Sequence, residues 1–486
     1  AVLSKMDRTA DPKILSDNGK QWLQILATLS ASLAAITPGI SIGWSAPFLP
    51  KISKDKENYD ISEEEIVRMQ AVSIYTVIIF CPIFSKLCDV IGRKRTLLLI
   101  CIPDLLTWIL IANAREAYVF LIAKVFSGMS HGIMFAAIPT YTGEISEPKV
   151  RGTWGNAMTV LFYAGQLFVT VIGSYYSVPT SCYIFMPISV VFGIVFCFMP
   201  ESPVFLLMKG RHEEAKNSLR RLRGREDISA DFEALKADVD RQMSERGRWK
   251  DLFLIRSNRK ALIALTFLRF SLILSGAFVF VFYIGYIFGK SVGTFTPETS
   301  SIIYMALHLL MSFFASFIVD ILGRRKSLIF SLTPCSIVLL IESIYFYMDE
   351  QVTDVDISFW NWIPVTGLVL FVVLSSFGID IMPALMQGEL FSAAIKAKGV
   401  GLLVVFTCAM SGTVHYLFFL LSSRFGMFVP FLVFACCNLI SAIIAYYIIP
   451  ETRGKTLEEI QQDLKRPVRS MIDDGKVYEK CNQNIL

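Results

Sequence analysis

The sequence predicts an all-α membrane protein of twelve transmembrane helices in two pseudo-symmetric six-helix bundles, and three observations predict it. Of 486 residues, 54% are hydrophobic and only 18% charged, against roughly a quarter charged in a water-soluble domain. The charges are gathered into short stretches, leaving apolar runs of about twenty residues, the length that crosses a hydrocarbon layer of about 30 Å. Three short polar elements occur twice in the same order. Unpaired backbone amides cost several kcal/mol each in lipid, and no strands of alternating polarity are seen, so the runs are read as helices.

A polar N-terminal segment, 1–21, precedes the first run and lacks the pattern of a cleavable signal, so the run from Trp22 is read as a retained helix. Spans are predicted at 22–44, 66–87, 96–113, 117–139, 153–174 and 181–199, forming a first bundle over 22–199. A second bundle over 261–449 holds spans at 261–287, 299–321, 327–347, 361–386, 399–421 and 428–449. Between them, 200–260 is polar and basic, with Arg220, Arg221, Arg223 and Arg225. Its apolar residues recur at helical spacing, Ala215, Leu219 and Leu222 on one face and Phe232, Leu235 and Val239 on another, which predicts amphipathic helices lying under the bundles. The tail is 450–486.

Lys and Arg concentrate in alternate loops, at Arg93 to Arg95, Lys149 and Arg151, the central segment, Arg324 to Lys326, and Lys396 and Lys398. The opposite loops are acidic, with Glu63, Glu64 and Glu65, then Asp349, Glu350, Asp354 and Asp356. The basic loops are therefore expected in the cytoplasm, together with both termini. The net charge of +5 resides in these loops rather than in one patch, so a nucleic-acid partner is not expected. Ten cysteines lie mostly in the apolar runs, without metal-ligand or redox spacing. No nucleophile elbow, metal cluster or phosphate-cradling loop is present, so neither an enzyme, a cofactor nor a bound metal is expected.

The repeated elements carry the functional reading. Asp89-Val-Ile-Gly92-Arg93-Lys94-Arg95 recurs as Asp320-Ile-Leu-Gly323-Arg324-Arg325-Lys326, displaced by 231 residues (320 minus 89). Glu144 with Arg151 recurs as Glu389 with Lys396, and Pro200-Glu201-Ser202 as Pro450-Glu451-Thr452. Each follows the equivalent span of its half, as expected of a duplicated six-span unit. Together with PESPVFLLMKGRHEEAKNSLRRLRG from Pro200 and PETRGKTLEEI from Pro450, these elements resemble the sugar porters of the major facilitator superfamily, from Trp22 to about Leu464. The stretch Gly43 to Pro50 most resembles the insect branch that includes facilitated trehalose transporters.

The resemblance implies the major facilitator fold and transport of a sugar, hexose or trehalose-like, or of a related polyol, by alternating access. A small-molecule substrate and the lipid bilayer are then the partners, the chain acting as a monomer in the plasma membrane. It also implies a gate of charges on the cytoplasmic side, formed by Asp89, Arg93, Glu144, Arg151, Glu201, Asp320, Arg324, Glu389, Lys396, Glu451 and Arg453, whose pairs form while the inner side is shut. Lys396 stands where the family often has Arg, and so does Lys124, which begins the fourth span; Lys lacks the bidentate fork. The family's seventh-span amide pattern falls on Leu272 to Phe278, where only Ser275 and Gly276 remain. The fifth-span Gln falls on Thr159, the tenth-span Trp on Ala384, and the eleventh-span Asn and Trp on Thr407 and Cys408. Polar residues that stand in are His308, Asp380, Ser411 and His415, with Asp104 in the third span. The expected substrate-binding set is therefore Thr159, Ser275, Gly276, His308, Asp380, Thr407 and Ser411.

Proton-coupled members often carry an Asp on the first span, where this chain has Ser41, so facilitated diffusion is favoured. The alternatives are a proton-coupled carrier of another polar or cationic solute, kept open by Asp104 and Asp380, and a non-transporting nutrient sensor, which the short tail disfavours.

Overall fold

The computed structural model describes residues 22–59, 61–147, 150, 154, 156–244, 249–290, 296–352, 358–391, 393–453 and 457–465. All regular elements among them are helical. Eleven helical stretches are long and apolar enough to cross a membrane. The twelfth, expected at 361–386, is divided into Ile363–Ser376 and Met382–Leu390. The third is stepped at Leu99 and Ile100, between Arg93–Leu98 and Cys101–Asn113; the others appear as single rods, or as the interrupted first and seventh described next, each within about six residues of its predicted bounds except the first.

That first span runs from Trp22 to Lys54 in three pieces, Trp22–Leu33, Ile36–Gly43 and Ser45–Lys54. A proline ring excludes the carbonyl four residues back; Pro38 faces Ala34 and Pro47 faces Gly43 in this way, and the interruptions fall there. The sequence stopped the span at Trp44, but the chain continues helically for ten more residues, Ser45–Lys54. The seventh span breaks similarly, Arg256–Leu274 giving way to Ala277–Lys290. There the Ser275 hydroxyl donates to Leu272 O and accepts from Ala277 N–H, capping both pieces. The tenth breaks ahead of Pro383. Interrupted helices of this kind expose backbone only where they face protein or a cleft.

The second helix, Glu63–Ile91, starts on a capping box in which Ser62 and Glu65 exchange side-chain and backbone hydrogen bonds. The Ser62 N–H holds the Glu65 carboxyl below the usual carboxylate range. Ile79, Ile83, Ile194, Phe330 and Ile443 are exposed on the periphery; an apolar belt of this extent is a liability in water and suits lipid contact.

The halves meet along three seams. On the acidic side, the outer pieces of the first and seventh spans lie backbone to backbone: Ser45 donates to Phe282 O at 3.2 Å, and a Cβ on Gly285 would stand 2.1 Å from Ala46 O. The second span meets the eleventh, with Gly412 packed on the Tyr75 ring. The fifth meets the eighth, where Asn156 donates to Ser312 O at 3.1 Å.

The polar linker forms Pro203–Met208, His212–Arg223, Ser229–Ser244 and Trp249–Leu254. Ala215, Leu219, Phe232 and Val239 join Phe205 and Leu206 in a small core of their own, as the periodicity predicts, while Leu222 packs into the first bundle. Arg223 ties these helices to that bundle through Glu147 at 3.1 Å and Ile145 O at 3.3 Å.

Candidate functional site

Asn156, Thr159 and Tyr163 lie at i, i+3 and i+7 of the fifth span, one face of a helix. The outer two touch the second half, Asn156 at Ser312 and Tyr163 at His308, whose rings are 4.2 Å apart between centroids. Thr159 between them is solvent-exposed, so the seam opens there. From the other side Ala384 and Gln387 share a face of Met382–Leu390, Asp380 lies in the break just before it, and Ala384 is exposed. The small residue at the position of the family's Trp leaves this space open.

His308 Nε2 lies 3.7 Å from Asp380 Oδ2, and the same oxygen accepts from the Ser375 hydroxyl at 2.9 Å. His308 Nδ1 is buried without a hydrogen-bond partner, and Tyr304 closes the ring's other side at 6.2 Å. Tyr163, His308, Asp380 and Ser375 thus make a polar cluster that crosses the interface. The chemistry available is hydrogen bonding by a carboxylate and an imidazole flanked by aromatic faces, which suits hydroxyl groups on an apolar ring.

The other expected contacts stand apart from this cluster. Ser275 is fully buried and spends its hydroxyl on the break in its own helix, and Gly276 packs on Phe280 and Phe434, so both shape the seventh span rather than face the opening. Thr407 donates to Leu403 O at 2.6 Å. Ser411 is paired through its carbonyl and hydroxyl with His415, whose ring meets Phe282 edge-on. Asp104 is enclosed in the first bundle, with Ser189 donating at 3.5 Å.

On the basic side, the duplicated charges form two matching braces. Arg93 grips Glu144 with two prongs, Nε to both oxygens at 3.1 and 3.0 Å and Nη2 at 2.9 Å. Asp89 adds a more exposed contact at 3.2 Å, and the Ser202 hydroxyl donates to the second Glu144 oxygen. In the other half Arg324 meets Glu389 at 2.9 Å and the Thr452 hydroxyl completes that carboxylate. Glu201 accepts from the Lys94 N–H at 3.0 Å, and Glu451 from those of Arg324, Arg325 and Arg453 at 3.0 to 3.1 Å. Both carboxylates enter over a glycine with positive φ, Gly92 at 108° and Gly323 at 87°. A Cβ would meet the carboxylate there, at 2.3 Å for Gly92, so glycine is required twice over.

Among the described residues every one of these pairs lies within one half. The expected latch therefore takes the form of a brace inside each bundle, because each Arg and its Glu sit on adjacent helices of the same repeat. Arg151, and the side chains of Asp320 and Lys396, lie outside the described residues. Arg453 contributes its backbone N–H.

Two cations escaped the expected set. Lys124 is two turns inside its helix, Ala117–Ile145, rather than at its start. Its ammonium is buried, forms no hydrogen bond among the described residues, and sits 4.6 Å from the Trp44 ring centre, an aromatic face taking the place of an anion. Close by, Ser41 and Ser127 share a hydrogen bond where a first-span acid would stand. Arg269 lies in the seventh span and donates to Gln387 Oε1 at 2.8 Å. A lone Arg in a long apolar run was the sequence signal for it.

Comparison with known proteins places these features. Two curated relatives are facilitated trehalose transporters, Tret1 of Bombyx mori, 28% identical over 94% of this chain and 90% of its own, and Tret1 of Apis mellifera ligustica, 28% identical over 92% and 89%. A partially occluded inward-open structure of the xylose transporter XylE from E. coli matches 90% of this chain and all of its own with a TM-score of 0.72 at 16% identity, which establishes the major facilitator fold. The profile described as "Sugar (and other) transporter" matches residues 27–464, so the chain belongs to the sugar (and other) transporter family.

Proposed function

We propose that the chain carries a sugar, hexose or trehalose-like, or a related polyol, by facilitated diffusion through alternating access. The observation that carries this reading is the cluster in which the Tyr163 ring of one half lies tilted against His308 of the other, beside Asp380. Substrate held there bridges both halves, so its binding is sensitive to their separation. With the acidic side closed by the Ser45 and Gly285 contacts, the exposed Thr159 and Ala384 mark the route toward the basic side. The braces act as rigid ends that let each bundle rock as a body. This reading takes the bundles as 22–199 and 261–449, and the positive loops support a cytoplasmic basic side and cytoplasmic termini, with the protein in the plasma membrane.

Ser41 in place of a first-span acid supports uniport. Uptake of radiolabelled trehalose, glucose and polyols into proteoliposomes is expected to equilibrate, and to be unchanged by a protonophore; uptake that collapses with the protonophore overturns uniport. Asp380→Asn is expected to weaken substrate affinity about 10- to 100-fold, the worth of one hydrogen bond to a charged group, about 1.5–3 kcal/mol. A variant with unchanged affinity, rate and pH dependence removes Asp380 from the path.

A further inference from the structure

Arg269, in the seventh span, has no opposite charge beside it among the described residues. Its only hydrogen bond there goes to the neutral amide of Gln387, and its Nε is buried with no partner, although the side chain as a whole is partly exposed. Around it the eleventh span supplies Cys408, within electrostatic reach, and Cys408 also packs against the first bundle. Both contacts of the guanidinium thus come from the second half, and Cys408 in turn borders the first. An arginine at membrane depth is costly unless an anion answers it, and its planar fork fits a carboxylate in bidentate fashion.

Gln387 shares a helical face with the exposed Ala384. Ala384 and Gln387 are three residues apart in Met382–Leu390, about 4.5 Å along its axis, and Asp380 lies in the break just before that helix. The Asp380 end already has its partners, His308 and the Ser375 hydroxyl. Only the Arg269 end lacks one.

We propose that Arg269 and Gln387 form an anion-binding subsite and that the chain carries sugar acids alongside neutral sugars. The hydroxyls of such a polyhydroxy carboxylate meet Asp380 and His308, and its carboxylate meets Arg269. This rests on the sugar-carrying reading above and extends it to a charged substrate class. Moving a carboxylate moves net charge, so its uptake responds to membrane potential whereas that of a neutral sugar does not.

The test uses the purified full chain in proteoliposomes with labelled glucuronate and labelled glucose as probes. Expected are saturable glucuronate uptake, mutual inhibition by glucose, and acceleration of glucuronate alone by an inside-positive potential. Arg269→Gln is expected to lower the glucuronate-to-glucose uptake ratio at least tenfold, and Arg269→Lys to restore part of it; a merely structural role lowers both rates together and leaves the ratio unchanged. Glucose uptake with neither uptake of nor inhibition by glucuronate overturns the anion subsite and leaves the sugar carrier standing, and so does an unchanged ratio in Arg269→Gln. Absence of uptake for glucose and every other neutral sugar overturns the sugar-carrying reading and this inference with it. The wild-type measurements decide the matter even where a variant fails to fold.

Discussion

Arg93→Ala is expected to destabilise the first bundle by about 3–5 kcal/mol, because it leaves the Glu144 carboxylate in a largely dry site with its Ser202 hydroxyl alone. The Arg93 side chain is 4% exposed and that of Glu144 16%, so water cannot take over the lost partner. For a bundle of this size the loss corresponds to a fall on the order of 10 °C in unfolding midpoint in detergent. Asp89→Asn, at a side chain 59% exposed, is expected to shift it by a small fraction of that. Arg93→Lys keeps the charge but not the two-pronged geometry and should fall between. Thermal scans of the three variants check the order, and an Arg93→Ala protein that melts with the wild type removes the brace from the account of stability.

Gly285→Val is expected to cut transport at least tenfold while leaving the folded protein intact. The added side chain would occupy the space of Ala46 O, 2.1 Å from its Cβ, and backbone cannot yield as a side-chain tip can. The contact joins the halves rather than the core of either, so the strain is relieved by keeping the acidic side apart, which blocks alternation and not folding. Counterflow in proteoliposomes, read beside the size-exclusion profile, separates the two effects. Transport within twofold of wild type would show that this seam need not close.

Much of the architecture was legible because lipid imposes it. Spans and sidedness of charge follow from the cost of exposed amides and misplaced Lys or Arg, and the repeats marked the braces down to the paired glycines. The interior was harder. Ser275 kept a residue of the family pattern yet serves the helix break, which spacing cannot distinguish from a cleft-facing role. Arg269 and Lys124 are single charges in apolar runs, conspicuous once looked for, but the groups that meet them, Gln387 and Trp44, come from other helices. Glu342 is a third such charge: it is completely buried, its carboxyl finds no partner among the described residues, and it fills the space that a side chain on Gly367 would take. His308 and Asp380 were found in sequence, being polar where lipid forbids it; Tyr163, which links them to the first half, is an ordinary aromatic in such a span and carried no signal.

The linker was expected as one segment, yet His212–Arg223 docks on the first bundle through Arg223, whereas Trp249–Leu254 is fastened to the seventh span, Asn258 donating to Asp251 O at 3.0 Å. The chain thus changes its carrier between Arg223 and Trp249. A donor dye at Lys216 and an acceptor at Lys250 are attached to opposite sides of the moving machine, and energy transfer between them becomes a gauge of each turnover in a single molecule.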